Sequence, residues 1–345
     1  MFFHWLNAKL PNDLTSLKAS KHFTNGQFHN SKQHVRKGNA AFFGYLKRLV
    51  FEKNINGKPK TSIPVKKINK VDLFLLDDDS IHFFKLGHST ILLKLGADFW
   101  LIDPVFSTRA SPFTFFGPKR FHQSPIDIKQ LPNIKGVIIS HNHYDHLDKA
   151  SIQALLNKTE LFFAPLGVEG DLMRWGVRQS QISTFDWWQE QIIDNVKLVF
   201  SPAHHYSGRW FKDNSTTLWG SWIVEFKGQR LFYSGDSGYF EGFREIGKRY
   251  GPFDVCLVET GAYDSQWPNV HMQPEQSLQS FIDLQGKILV PIHNATFNLA
   301  FHPWNEPLIR IHQLCIQSNI ELLTPIFGQA VTVASEPKNN DQWWL

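Results

Sequence analysis

One short stretch constrains this chain more than any other. The apolar run Lys135-Gly136-Val137-Ile138-Ile139-Ser140 leads without a break into His141-Asn142-His143-Tyr144-Asp145-His146. In an extended or tightly looped backbone, positions i and i+2 point the same way, so His141 and His143 can grip one ion together. Asp145 and His146 follow on a turn and can face a second ion beside it. Neutral imidazole is a good ligand for zinc and related metals, and a carboxylate binds terminally or bridges. A lone histidine at a strand end is usually a turn residue, but this cluster has company. KLVFSPA runs into His204-His205, RLFYSG into Asp236, and ILVPI into His293. Four separate apolar runs thus end in imidazole or carboxylate. Binding residues on α/β folds concentrate at strand ends because the rigid sheet fixes their positions.

Period and punctuation place the other elements. FFKLGHSTILLKL and GADFWLIDP read as strands with tight turns at Gly87 and Gly96. KGVIIS (135–140), KLVFSP (197–202), WIVEF (222–226), RLFYSG (230–235), DVCLVE (254–259) and ILVPI (288–292) read as further strands. DKASIQALLNK predicts a helix capped by Asp148, with Ile152, Leu155 and Leu156 on one face. FREIGKRYG (243–251) and PEQSLQSFIDLQG (274–286) predict two more, the second with Pro274 near its start and Gly286 just past its end. Strands mixed with helices over roughly 260 residues imply a layered α/β domain. We expect a basic amino-terminal extension over 1–75, a catalytic domain over 76–335 and a short tail over 336–345.

Charge separates the extension from the body. Residues 1–70 hold 14 Lys and Arg against Asp13 and Glu52, a balance of +12, and the rest holds 22 basic and 29 acidic residues, a balance of −7. The arm reads as attracted to anionic lipid or nucleic acid, or as a solvated segment that wraps the body. Within it, AAFFGYLKRLVF sets Phe42, Leu46, Leu49 and Val50 at helical spacing beside Lys47 and Arg48. That stripe favours packing on the protein's own core over lying on a membrane. The acidic body repels a phosphate polymer, so nucleic acid is not expected as a partner. A phosphate loop, a dinucleotide fingerprint, a nucleophile elbow and a CxxC pair are all missing from the sequence. Cys256 and Cys315 are too few for a disulfide framework, and no apolar run approaches the ~18 residues of a membrane span. With no secretory signal at the start, a cytoplasmic setting is expected, with peripheral membrane contact as its extension.

A longer set of motifs now becomes readable as a family. In order along the chain stand GHST (87–90), DPVFSTRASP (103–112), GPKRFHQSP (117–125), ISHNHYDHLD (139–148), DWW (186–188), LWGSW (218–222), GDSGY (235–239), EIGKRYGPFD (245–254), GAY (261–263) and PIHNATF (291–297). The chain resembles the metallo-β-lactamase superfamily, and within it the N-acylphosphatidylethanolamine-hydrolysing phospholipase D family. The resemblance implies a four-layer αββα sandwich carrying two zinc ions at one edge. It implies that His141, His143 and His205 hold one ion, that Asp145, His146 and His293 hold the other, and that Asp236 bridges them. Asp145 and Asp236 would then be the catalytic carboxylates, and His205 rather than His204 the ligand. It further implies substrate contacts at Tyr144 and His271, a phospholipid substrate and a homodimer. Asn294-Ala295 and FGQ (327–329) depart from the family pattern. The chemistry follows from charge: two cations neutralise the phosphoryl oxygens and lower the pKa of a shared water towards ~7, and the resulting hydroxide attacks phosphorus. The competing expectations are a hydrolase of the same fold acting on another ester or phosphodiester, and a nuclease.

Overall fold

The computed structural model describes residues 14–31, 56–210, 213–333 and 342–345. The amphipathic segment at 40–51 lies outside the described residues. Two seven-stranded sheets face each other. The first has the order β16-β3-β4-β5-β6-β7-β8, with β3 Ile81–Gly87, β4 Thr90–Leu95, β5 Asp98–Ile102, β6 Ile134–Ile138, β7 Thr159–Pro165, β8 Ile182–Phe185 and β16 Ala330–Thr332. The second has the order β15-β14-β13-β12-β11-β10-β9. Its strands are β9 Glu190–Ile193, β10 Val196–Ser201, β11 Ser221–Phe226, β12 Gln229–Tyr233, β13 Phe253–Glu259, β14 Gly286–Ile292 and β15 Glu321–Leu322.

The alternation of side chains builds the layers. In β5, Trp100 and Ile102 enter the core between the sheets, while Phe99 and Leu101 face outward under helices. In β10, Leu198 and Phe200 point inward and Val199 outward. Both faces are therefore covered, which is why these strands read as unbroken apolar runs. Helices α3 Lys149–Leu155 and α4 Glu169–Arg174 pack on the outer face of the first sheet, supplying Ile152, Leu155 and Leu172. Helices α5 Gly242–Tyr250, α6 Pro274–Asp283 and α7 Glu306–Ser318 pack on the outer face of the second, supplying Phe243, Ile246, Phe281 and Ile311. The result is the expected αββα sandwich.

Local expectations met different fates. Asp148 caps α3 by accepting from Ala150 N. Gly286 does not end α6. The left-handed residue there is Gln285 (φ 59°), and Gly286 opens β14, where a Cβ would overlap the Phe281 ring and crowd Cys256 Sγ. Both cysteines are free and buried. Where the amino-terminal extension is described, it lies against the body. Leu17 of α1 Leu14–Ala19 and Phe28 of the β1 Phe23–Thr24, β2 Gln27–Phe28 hairpin are buried in the central core. Val65 bridges to Phe327, and Leu73 of α2 Lys70–Phe74 is fully buried. Among the described residues, no helix is long and apolar enough to cross a membrane.

Candidate metal centre

Strand direction gathers the site. In the first sheet β3 and β5 run with β6, and in the second β10 runs with β12, β13 and β14. The residues following these strands converge on one edge of the sandwich. Three overlapping groups of side chains there could each hold an ion: His141, His143, His205 and Asp236; His88, Asp145, His146 and His293; and Asp236, Glu259, His271 and His293.

In the first group, His143 Nδ1 stands 3.0 Å from His141 Nε2 and 3.2 Å from His205 Nε2. Asp236 Oδ2 lies 3.7 Å from Nε2 of both His141 and His205. A tetrahedron of nitrogen ligands about 2.0–2.1 Å from zinc has edges of about 3.3 Å, so these spacings suit a cation. Burial holds His141 and His205 well below the ordinary histidine range and lowers His143 to about 4, so all three are neutral and keep a lone pair. In the second group, Asp145 Oδ2 lies 3.1 Å from His88 Nε2, 3.3 Å from His293 Nε2 and 3.6 Å from His146 Nε2. Asp236 reaches across, with Oδ1 2.9 Å from His146 Nε2 and Oδ2 3.0 Å from His293 Nε2. His146 Nε2 and Asp236 Oδ1 are both buried without a hydrogen-bond partner. Two bare donors converging in this way suit a cation. Burial works against charge on His146 and His293, but the neighbouring carboxylates win, raising His293 to about 10 and His146 well above its usual value.

The sequence reading missed three contributors, each at a strand end. Asp103, after β5, is fully buried with φ +43°. Its Oδ2 accepts from His146 Nδ1 (2.7 Å), Tyr233 OH (2.7 Å) and Ser140 Oγ (2.5 Å), and its Oδ1 accepts from Ser140 N (2.7 Å). Ser140 Oγ in turn lies 2.9 Å from His141 Nδ1, and Val270 O lies 3.1 Å from His205 Nδ1. These partners leave Nε2 of His141, His146 and His205 free to face the centre. His88, after β3, meets Asp145. Glu259 ends β13, fully buried, beside Asp236 and His271. The only available signal was position: each follows an apolar run, as the other candidates do.

Of the neighbouring histidines, His205 joins the first group. His204 turns into a different cavity, of about 950 Å³, with Trp187, Trp188 and Phe240. Above the first two groups lies a cavity of about 570 Å³ lined by Tyr144, Tyr206, Trp267, His271, Leu299 and ligand-type residues. Tyr144 and His271 are thus brought to the mouth of the site. Asn294, one of the departures from the family pattern, is pinned by Lys85 Nζ at 2.8 Å. Burial lowers that lysine to about 7.

Comparison with known proteins agrees with this geometry. The model of the "Beta-lactamase superfamily domain" matches residues 100–294. A Mycobacterium tuberculosis protein is 37% identical over 87% of this chain and 81% of its own length. The N-acyl-phosphatidylethanolamine-hydrolyzing phospholipase D 1 of Caenorhabditis elegans is 28% identical over 76% of this chain and 77% of its own. An isothiocyanate hydrolase from Delia radicum gut bacteria shares the fold, with a TM-score of 0.59 at 17% identity over 74% of this chain and 100% of that one. With the family match spanning more than half its length and His/Asp clusters able to hold metal at the sheet edge, this chain belongs to the beta-lactamase superfamily, as a hydrolase of the metallo-β-lactamase fold.

Proposed function

We propose that this chain is a zinc-dependent phospholipase D-type phosphodiesterase that hydrolyses N-acylphosphatidylethanolamine to an N-acylethanolamine and phosphatidic acid. The observation that carries the reading is the pair of ligand clusters sharing Asp236 beneath an open, partly aromatic cavity. In this reading His141, His143 and His205 would hold one ion and Asp145, His146 and His293 the other, with Asp236 placed between the two sets. When bound, two divalent ions supply Lewis-acid charge for the phosphoryl oxygens and a water acidic enough to attack at neutral pH. The residues of the chain do the rest. Asp103 and Ser140 hold the imidazoles in the tautomer that leaves Nε2 free. Tyr144 stands at the rim, its hydroxyl donating to Arg209 O at 2.8 Å and its ring under the Arg209 guanidinium at 4.1 Å. His271 faces the substrate across the cavity.

A lipid substrate is supported by the rim. The loop that starts at the cavity-lining Ala110 carries Phe113, Phe115 and Phe116, all exposed, and Trp210 is exposed beyond Tyr144. Large aromatic side chains held in water beside a catalytic cavity suit a bilayer interface. The named relative from Caenorhabditis elegans supports the same substrate class. The test is turnover of N-acylphosphatidylethanolamine in vesicles, with products identified by mass spectrometry and metal measured on the same sample. Asp236→Ala should lose both ions and several kcal/mol of transition-state stabilisation, at least about a thousandfold in rate. Release of free fatty acid, or turnover confined to soluble phosphodiesters, would overturn the lipid assignment.

A further inference from the structure

We propose that Glu259 and His271 form a dyad serving the leaving-group oxygen, with Glu259 as the positioning residue that orients His271 and fixes which ring nitrogen faces the substrate. The inference rests on the phosphodiesterase reading above and deepens it.

Glu259 is a carboxylate with no contact to water, at the end of a central parallel strand. Such a group is retained only where it is fully paired. Both its oxygens are in use. Oε2 accepts from Ser237 N at 2.6 Å, and Oε1 accepts from His271 Nδ1. Its backbone is pinned as well, since Glu259 N donates to Ser234 Oγ (2.8 Å) and Glu259 O accepts from Ser277 Oγ (2.7 Å). Glu259 also stands with Asp236, His271 and His293 in a group close enough to hold an ion, but each of its oxygens is already engaged, one by Ser237 N and one by His271. Of the two, His271 lines the cavity and Glu259 lies behind it, so Glu259 acts through His271.

The His271 ring lines the catalytic cavity, stacks on His293 with centroids 5.1 Å apart, and meets His205 edge-on at 5.2 Å. Because Nδ1 is taken by Glu259, Nε2 is the nitrogen left for a ligand. The form of the pair able to act as an acid carries one proton in the shared hydrogen bond and one on Nε2, the nitrogen turned away from Glu259. In that form the pair presents an N–H donor to the cavity that His271 lines. In hydrolysis, water adds to phosphorus and releases one proton to solvent, the bond from phosphorus to the ethanolamine oxygen breaks, and that oxygen takes the Nε2 proton. Solvent then returns a proton to the dyad.

The test joins a spectroscopic and a kinetic readout. In proton NMR of the metal-stripped protein, the buried Glu259–His271 bond should give a deshielded imidazole N–H resonance. That signal should be absent in His271→Ala and moved upfield in Glu259→Gln. In the metal-loaded enzyme, Glu259→Gln should keep its metal content and a KM within about twofold, and lose about 10²-fold or more in kcat on an alkyl phosphodiester. On a p-nitrophenyl phosphodiester, whose leaving group needs no proton, the loss should be only a few-fold. Glu259→Asp, which keeps the charge but shortens the reach, should recover part of kcat. Equal losses on both substrates, a changed metal content, or a deshielded signal unaffected by Glu259→Gln would overturn the proposal. If the wild type hydrolyses no phosphodiester, the functional reading fails, and the NMR arm still decides the dyad.

Discussion

Asp103→Asn is the substitution on which the structural reasoning bears most directly. The Asp103 carboxylate accepts four hydrogen bonds, three of them at Oδ2. An asparagine can keep its oxygen on Ser140 N, which puts an NH2 group where Oδ2 stood. The Tyr233 hydroxyl can turn to Ser89 O, 3.0 Å away, and Ser140 Oγ can rotate to accept. His146 has a poorer escape: the other acceptor within reach of its Nδ1 is Ser140 Oγ, at 3.4 Å. If Nδ1 keeps its proton, that buried donor is left with a long bond at best, at a cost of about 1–3 kcal/mol. If the proton moves to Nε2, the nitrogen facing Asp236 and Asp145 loses its lone pair. Either way, affinity at the His146 site should fall about 10–100-fold, the usual consequence of losing such an orienting partner. The other site, whose histidines are oriented by Ser140 and Val270, should change less. The assay is competition with a chromophoric chelator, resolved into two steps, beside urea denaturation of the metal-stripped protein. Tyr233→Phe is the control, because it removes one donor and leaves the His146 tautomer alone. An Asp103→Asn protein with wild-type affinity at both steps would refute the argument.

Two further predictions concern the arm and acid stability. Asn30 accepts from His205 N (3.1 Å) and Trp219 Nε1 (3.1 Å) and donates to His205 O (2.8 Å). Asn30→Ala should cost about 2–3 kcal/mol and speed hydrogen exchange at the His205 and Phe28 amides, and unchanged exchange would show that the arm does not brace this loop. Burial lowers His122 from 6.5 to about 3. The unfolded chain therefore binds a proton between about pH 6.5 and 3 that the folded chain refuses, and stability falls as pH drops through that window by up to ~1.4 kcal/mol per unit. His122→Phe keeps a ring against Phe327, 3.9 Å away between centroids, but cannot titrate, so its profile should be shallower by about one proton. Parallel profiles for the two proteins would refute the prediction.

The sequence by itself determined the layers and most of the metal-ligand candidates. Strands buried on both faces must be written as continuous apolar runs, and each run ended in residues that could be read off: His141, the pair His204-His205, Asp236 and His293. What it left open was phase and partnership. His204 and His205 are adjacent and point to opposite sides, and no periodicity in PAHHY says which side faces the centre. His88, Asp103 and Glu259 also follow apolar runs, yet a single polar residue at a strand end looks the same whether it turns to solvent or orients a ligand. The arm read as a charged extension because its contacts, such as Asn30 on His205, join residues 175 positions apart. Composition and period are local properties. Which lone pairs meet is decided only when two sheets bring their strand ends to one edge.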